Sequence, residues 1–254
     1  MTNSSSVKPI LIGISGPSCS GKTTLSRVLK SIIPGTIVLH EDDFYKTDSA
    51  IPLKNGVQDW DCLDSIDLPL LTFTLRSFKD TGTVPPKFLH EEEDKEKKVS
   101  ELENLQSTIA SQRSSIKASL HQLEGKQPFS IAIIEGFLLY SEDFSHVRDL
   151  LDIKIFLRLD YPTMKKRRGD RKGYATIEGF WEDPPGYVDD VVWPNYIKDH
   201  AFLFEEGDVE GAVDEEVCRR LRIRTAPEDA ASDIKSLTEW TCEIINADII
   251  NTAN

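Results

Sequence analysis

Cysteine and histidine are scarce in this chain: four and five among 254 residues, none at C-x-x-C or zinc-ligand spacing. The scattered Cys19, Cys62, Cys218 and Cys242 argue against a disulfide framework or a zinc site. They predict reduced thiols in a cytoplasmic protein, with the nucleus also open to it. Long apolar runs are missing too. No stretch approaches the roughly 18 residues of a membrane span, and the opening MTNSSSVKP has no apolar signal-peptide core. Positive charge is in deficit, with 30 Lys and Arg against 43 Asp and Glu and a formal net charge of −13. A nucleic-acid coat or a membrane-surface protein needs a basic face, so neither partner is expected. There are no internal repeats. These absences leave a soluble, intracellular chain long enough to bury one α/β core with elaborations, as monomer or homo-oligomer.

Short apolar runs alternate with helix-period stretches, the pattern of a parallel sheet covered by helices. The runs Ile10–Ser15, Thr36–His40, Phe129–Ile134 and Ile153–Leu159 predict strands, with a fifth at Leu221–Arg224. Each is continuous rather than alternating, which suits strands buried on both faces. Helices are predicted over Thr24–Ser31, Leu68–Lys79 and Pro162–Lys172, and from about Ser232 to Ile249. Residues 91–127 interrupt this order, opening on EEEDKEKK and carrying Leu102, Ile109, Ile116 and Leu123 at seven-residue intervals, with Leu105 between. That spacing predicts an amphipathic helix or helical pair packed on the domain edge, with an oligomerisation helix as the alternative. The chain reads as one domain over residues 1–254, with a flexible tail at 1–8 and a helical insertion at 91–127.

The most specific signal is Gly16-Pro17-Ser18-Cys19-Ser20-Gly21-Lys22-Thr23, a full G-x-x-x-x-G-K-T phosphate-binding loop between the first strand and the first helix. In that context backbone N–H groups curl around phosphate oxygens at a helix N-terminus. Lys22 reaches the β- and γ-phosphates, and the Thr23 hydroxyl joins a Mg²⁺ shell. Gly16, Ser18, Cys19, Ser20, Gly21, Lys22, Thr23 and Thr24 are therefore the candidate triphosphate cradle.

Acids follow at strand ends. His40-Glu41-Asp42-Asp43-Phe44-Tyr45 lies at the carboxyl end of the second strand, where an open α/β sheet faces its ligand crevice. A carboxylate there takes the proton of an attacking hydroxyl while Mg²⁺ and Lys22 stabilise the transferring phosphoryl group. Glu135 ends the apolar Phe129–Ile134 run, where phosphate-loop enzymes keep an acid that holds Mg²⁺. Lys165, Lys166, Arg167, Arg168, Arg171 and Lys172 crowd one short stretch of an acidic protein. They read as a solvated face or, beside a triphosphate, as a basic lid over 162–175 that neutralises phosphoryl charge and excludes water. Trp60-Asp61 sits in a polar, loop-like stretch, where a ring can stack on a base while the acid grips sugar hydroxyls. A D-x-x-G string occurs at Asp208–Gly211, but no N-K-x-D guanine-reading motif follows it, which disfavours a signalling GTPase.

Together G-x-x-x-x-G-K-T-T, E-D-D-F-Y-K, Q-D-W-D, I-I-E-G-F-L-L, K-K-R-R-x-x-R-K-G-Y and P-P-G-Y-V-D-D-V-V-W-P-x-Y resemble the nicotinamide riboside kinases. These belong to the uridine-kinase-like P-loop kinases, and the resemblance spans about residues 8–205. It implies a three-layer α/β P-loop kinase fold and transfer of phosphate from ATP, with Mg²⁺, to the 5′-hydroxyl of nicotinamide riboside. Nicotinic acid riboside is implied as a second substrate, and uridine/cytidine kinase activity stands as the alternative. By position, Asp42 resembles the family's proton acceptor and lies near the Mg²⁺ held by Thr23 and Glu135. Trp60 and Tyr174 resemble the aromatic pair around the pyridine ring, with Asp61 and Arg168 on the ribose. Asp43, Phe44 and Tyr45 fall in the same substrate-side motif, while Arg167, Gly169 and Arg171 fall where the lid meets ATP. The lid run is longer here, with Lys172-Gly173 before Tyr174, and the family's compact members lack most of 91–127.

Overall fold

A computed structural model describes residues 7–89, 103–124, 128–228 and 233–252. The apolar runs form β1 (Lys8–Ser15), β2 (Ile37–His40), β5 (Phe129–Gly136), β6 (Ile153–Phe156) and β9 (Ile223–Thr225). These five make one all-parallel sheet in the order β2-β5-β1-β6-β9. Two short antiparallel hairpins lie outside it: β3 (Leu53–Lys54) with β4 (Val57–Gln58), and β7 (Tyr174–Ala175) with β8 (Phe180–Trp181). The helices are α1 (Lys22–Ile32), α2 (Leu68–Thr81), α3 (Gln106–Glu124), α4 (Ser145–Arg148), α5 (Tyr161–Gly169), α6 (Trp193–His200), α7 (Glu215–Leu221) and α8 (Ile234–Thr252).

Side-chain alternation along β1 divides the core in two. Ile10, Ile12 and Ile14 point to one face and pack with Leu25, Val28 and Leu29 of α1 and with Leu237, Cys242 and Ile245 of α8. Leu11 points to the other face, with Leu71, Leu75 and Phe78 of α2 and with Phe156 and Phe204. Both faces of the sheet are therefore covered, as its continuous apolar strands require. Local chemistry sets the helix ends. Asp67 caps α2 by accepting the Leu70 N–H at 3.0 Å, and the helix stops at Gly82 with φ 72°. Asp160 caps α5 by accepting the Thr163 N–H at 2.9 Å.

Several boundaries differ from the sequence expectation. The fifth strand is Ile223–Thr225, because Leu221 ends α7 and Arg222 adopts a left-handed φ of 57°. The β6 ladder ends at Phe156 rather than Leu159, although the Leu157 N–H still donates to Ser15 O at 2.7 Å. Helix α5 ends at Gly169 rather than Lys172, and the chain then turns into the β7–β8 hairpin. Lys8 already belongs to β1, so the expected tail is shorter, and residues 1–6 lie outside the described residues.

Within the 91–127 segment, α3 buries Ile109 and Ile116 against α1 and α8, and Leu105, just before the helix, joins the same cluster. Leu102 and the EEEDKEKK run lie outside the described residues, as does the side chain of Leu123. Leu105, Ile109 and Ile116, the stripe residues whose side chains are described, are thus covered from within the chain.

Candidate active site

The phosphate loop leaves the carboxyl end of β1 and enters α1 at Lys22. Two of its glycines are steric requirements. Gly16 has φ 147°, and a Cβ there would lie 2.4 Å from Leu157 O; Gly21, at φ 96°, precedes the first helical residue. Lys22 Nζ donates to Gly16 O at 3.0 Å and Pro17 O at 2.9 Å, folding the cation back over its own loop. Burial lowers the Lys22 pKa, while the carboxylates of Glu135 and Asp42 oppose that shift.

Across the loop, the register of β2 on β5 sets His40 beside Glu135. Glu135 Oε1 accepts from Thr23 Oγ1 at 2.8 Å and meets His40 Nδ1 at 2.7 Å. Burial works against the charge on Glu135, but the His40 hydrogen bond and Lys22 outweigh it, and its pKa is lowered. For His40 burial is likewise outweighed, by the bond to Glu135, and its pKa rises. Asp42 is exposed and lines the cleft, with Glu135 and Lys22 close by. Desolvation, with help from Glu135, pushes its carboxyl up to about 6.

Glu41, one residue earlier, turns inward instead. It is fully buried, its Oε2 accepts the Leu138 N–H at 3.2 Å, and burial pushes its pKa well above the carboxylate range. Gly136 makes room for it, since a Cβ there would fall 1.9 Å from Glu41 Oε2.

A cleft of about 460 Å³ joins these groups to an aromatic chamber. Ser18, Cys19, Gly21, Lys22, Thr23 and Thr24 line one end, with Asp42 and Glu135, while Tyr45, Trp60, Asp61, Arg168, Tyr174 and Trp181 line the other. Trp60 meets the edge of Tyr45 at 5.3 Å and Trp181 at 5.9 Å. Its backbone is pinned from both sides: Trp60 N donates to Tyr187 Oη at 2.9 Å, and Ser65 Oγ donates to Trp60 O at 3.0 Å. Asn195 Nδ2 holds Asp59 and the Asp61 carbonyl at 2.9–3.1 Å. Arg168 is clamped by Asp61 through two bonds of 2.7 and 2.9 Å, and by Asp183 at 2.6 and 3.1 Å. Arg167 Nη1 donates to Cys19 O at 3.2 Å, and Arg171 lies 5.4 Å from the Tyr174 ring centre, so the basic segment faces the phosphate loop.

Most of the predicted site residues converge on this cleft. Gly16 and Ser20 shape the loop without lining it, and Gly169 ends α5 away from the wall. Phe44 is a correction: it is fully buried, stacked on Phe88 at 4.6 Å in the core, and cannot touch a ligand. Asp43 also turns away, accepting the His40 N–H at 3.4 Å. Three groups escaped the sequence reading: His40, Trp181 and Asp183. The His40 signal was its place beside Glu135 at matching strand ends, whereas Trp181 and Asp183 lie in a hairpin with no motif of its own.

The profile of the phosphoribulokinase/uridine kinase family matches residues 11–171. The nicotinamide riboside kinase of Schizosaccharomyces pombe is 37% identical over 242 residues, covering 94% of this chain and 98% of that protein. That of Saccharomyces cerevisiae is 32% identical over 94% of this chain and 97% of its own length. Human nicotinamide riboside kinase 1 is 30% identical over 76% of this chain and 77% of its own. With the phosphate loop, the strand-end acids and the parallel sheet around them, these matches make this chain a kinase of the phosphoribulokinase/uridine kinase family, belonging within it to the nicotinamide riboside kinases.

Proposed function

We propose that this protein transfers the γ-phosphoryl group of ATP to the 5′-hydroxyl of nicotinamide riboside, and accepts nicotinic acid riboside as well. The observation that carries the reading is one cleft lined by a phosphate loop, by Asp42 and Glu135, and by an aromatic group around Trp60. Asp42 lines the same cleft as Lys22, Glu135 and Asp61, which supports its meeting a ribose hydroxyl beside a γ-phosphate. Asp42 takes the hydroxyl proton, the hydroxyl oxygen forms its bond to the γ-phosphorus, and the bond to the bridging oxygen breaks to release ADP. Lys22, Arg167 and Arg171 neutralise the phosphate oxygens, and residues 162–175 act as the basic lid that keeps water out.

The donor set suits Mg²⁺. Thr23, Asp42 and Glu135 offer hard oxygens too few for a cage, and among the described residues no group of three or more His, Cys, Asp or Glu could enclose an ion. Mg²⁺ is the ion that keeps waters and shares substrate phosphates at such sites, and when bound it supplies charge neutralisation on the phosphates. On the substrate side, Asp61 and Arg168 grip the ribose hydroxyls while Trp60 and Tyr174 take the base. A ribosylated pyridinium is a cation, and ring faces attract it by roughly 0.5–2 kcal/mol beyond burial. The four free cysteines fit a reducing cytoplasmic setting, and no described helix is long and apolar enough to cross a membrane.

A panel of ribosides tests the reading, with ATP and Mg²⁺ held in excess. Nicotinamide riboside is expected to give the highest kcat/KM. A clear preference for uridine or cytidine would assign the chain to pyrimidine phosphorylation instead.

A further inference from the structure

The β7–β8 hairpin carries Tyr174 on its first strand, but its second strand and its turn have no part in the chemistry above, although Thr176 and Trp181 also line the cleft. Its path is tight: Gly173 has φ 104°, and a Cβ there would sit 2.4 Å from Phe180 and 2.5 Å from Trp181 O. Its turn is closed by the Gly179 N–H on Thr176 Oγ1 at 2.9 Å. That turn is tied to the opposite rim. Thr176 Oγ1 donates to Asp48 Oδ2 at 2.7 Å and the Glu178 N–H donates to Asp48 Oδ1 at 3.3 Å. Asp48 is itself held to the β3–β4 hairpin, since its carbonyl accepts from Gln58 Nε2 at 2.5 Å.

At the inner end of the hairpin, Trp181 lines the cleft beside Trp60. The two indoles meet at 49° with centres 5.9 Å apart, so they form a corner rather than a stack. Tyr187 backs Trp181 at 5.5 Å. Trp181 Nε1 donates to Asp183 Oδ1 at 2.9 Å, the same carboxylate that helps Asp61 clamp Arg168. The ring is thus fixed by its own hydrogen bond and by a latch at the far end of the hairpin. A planar base lying on Trp60 would abut Trp181 at its edge, and the reach of the base across the chamber ends there.

We propose that Trp181 is a specificity-determining residue that limits the base to a single ring, held in place by the hairpin clasp that Asp48 latches. The proposal rests on the reading that Trp60 takes the base of a riboside, and deepens it. With the corner removed, a two-ring purine riboside gains room while a single-ring riboside loses a contact surface. Pocket contacts of this kind discriminate by roughly 10–200-fold.

The test compares wild type with Trp181→Ala, Trp181→Phe and Asp48→Ala, all with excess ATP and Mg²⁺, on nicotinamide riboside, uridine and adenosine. Trp181→Ala is expected to raise the adenosine-to-nicotinamide-riboside ratio of kcat/KM by about tenfold or more, within the range such pockets achieve. The KM for ATP should stay within about twofold, and Trp181→Phe should recover most of the discrimination. Asp48→Ala should raise the KM of the single-ring riboside several-fold with the ATP KM unchanged, and it gives an answer even if Trp181→Ala fails to fold. Unchanged base ratios in folded Trp181→Ala, or unchanged riboside KM in Asp48→Ala, would overturn the proposal while leaving the riboside kinase reading intact. If wild type prefers another single-ring nucleoside and Trp181→Ala still admits adenosine, the substrate reading fails and the corner stands.

Discussion

As the proposed proton acceptor, Asp42 has to be ionised, and its surroundings resist that ionisation. Its pKa lies near 6 instead of the ordinary 3.8, chiefly through desolvation. Between those two values the folded chain binds more protons than the unfolded one, so stability falls as pH rises through the window and stays lowered above it. Asp42→Asn is therefore expected to raise the Tm of the metal-free protein at pH 7.5, with little gain at pH 4. The same substitution should lower kcat by roughly 10²–10⁴-fold, the usual contribution of a general base. Thermal melts in chelator and steady-state assays check the two halves. An Asn variant that is no more stable at pH 7.5, or keeps half its activity, would remove Asp42 from this role. The phosphate loop is legible in the sequence because all its parts are contiguous. The partnership of His40 with Glu135 is not, because the residues meet only through strand register across 95 positions. Phe44 is misread for a related reason: in the short 3₁₀ turn Glu41–Phe44 no period tells which side chain faces the cleft, and Phe44 falls onto Phe88.

At the scale of elements, continuous apolar runs identify the four longest strands of the sheet, since burial on both faces leaves them no polar alternation. The two-residue strands of the hairpins are too short for any such pattern, and α6 and α7 give only brief amphipathic stretches. The α3 stripe is visible in sequence, but its partner is not. Ile116 is 1% exposed among α1 and α8 residues, so α3 braces the back of the helix that starts at the phosphate loop. Ile116→Ala is expected to cost about 2–5 kcal/mol of stability, as for other buried Ile-to-Ala changes. The denaturant midpoint should fall, with the KM values for ATP and riboside preserved because no cleft residue is touched. A midpoint within error of wild type would mean that α3 is only loosely docked. Removing the whole insertion would uncover the same apolar face of α1, so a clean deletion is expected to be less stable than the intact chain.

For the whole molecule, the phosphate loop and the lid arginines form a cationic enclave in a chain of net charge −13. A ligand held there by the folded state alone stabilises that state by mass action, about 2.7 kcal/mol at a hundredfold excess over Kd. ATP with Mg²⁺ should therefore raise the Tm of wild type by several degrees. Lys22→Ala should lose most of that rise if, as proposed, Lys22 neutralises the phosphates; a full shift in the variant would place ATP elsewhere. The topology also fixes when this enclave can exist. β1 precedes β5 and β6 in the chain, yet it lies at the centre of the sheet between them, and they begin only at Phe129 and Ile153. On the ribosome β1 emerges before either of its partner strands, and even β2 must wait for β5. The loop that names the chemistry is thus synthesised well before the strands that support it. Nucleotide therefore has no assembled loop to bind until β5 and β6 emerge, and until then the apolar β1 has neither of its sheet partners, the kind of unpaired edge that favours aggregation.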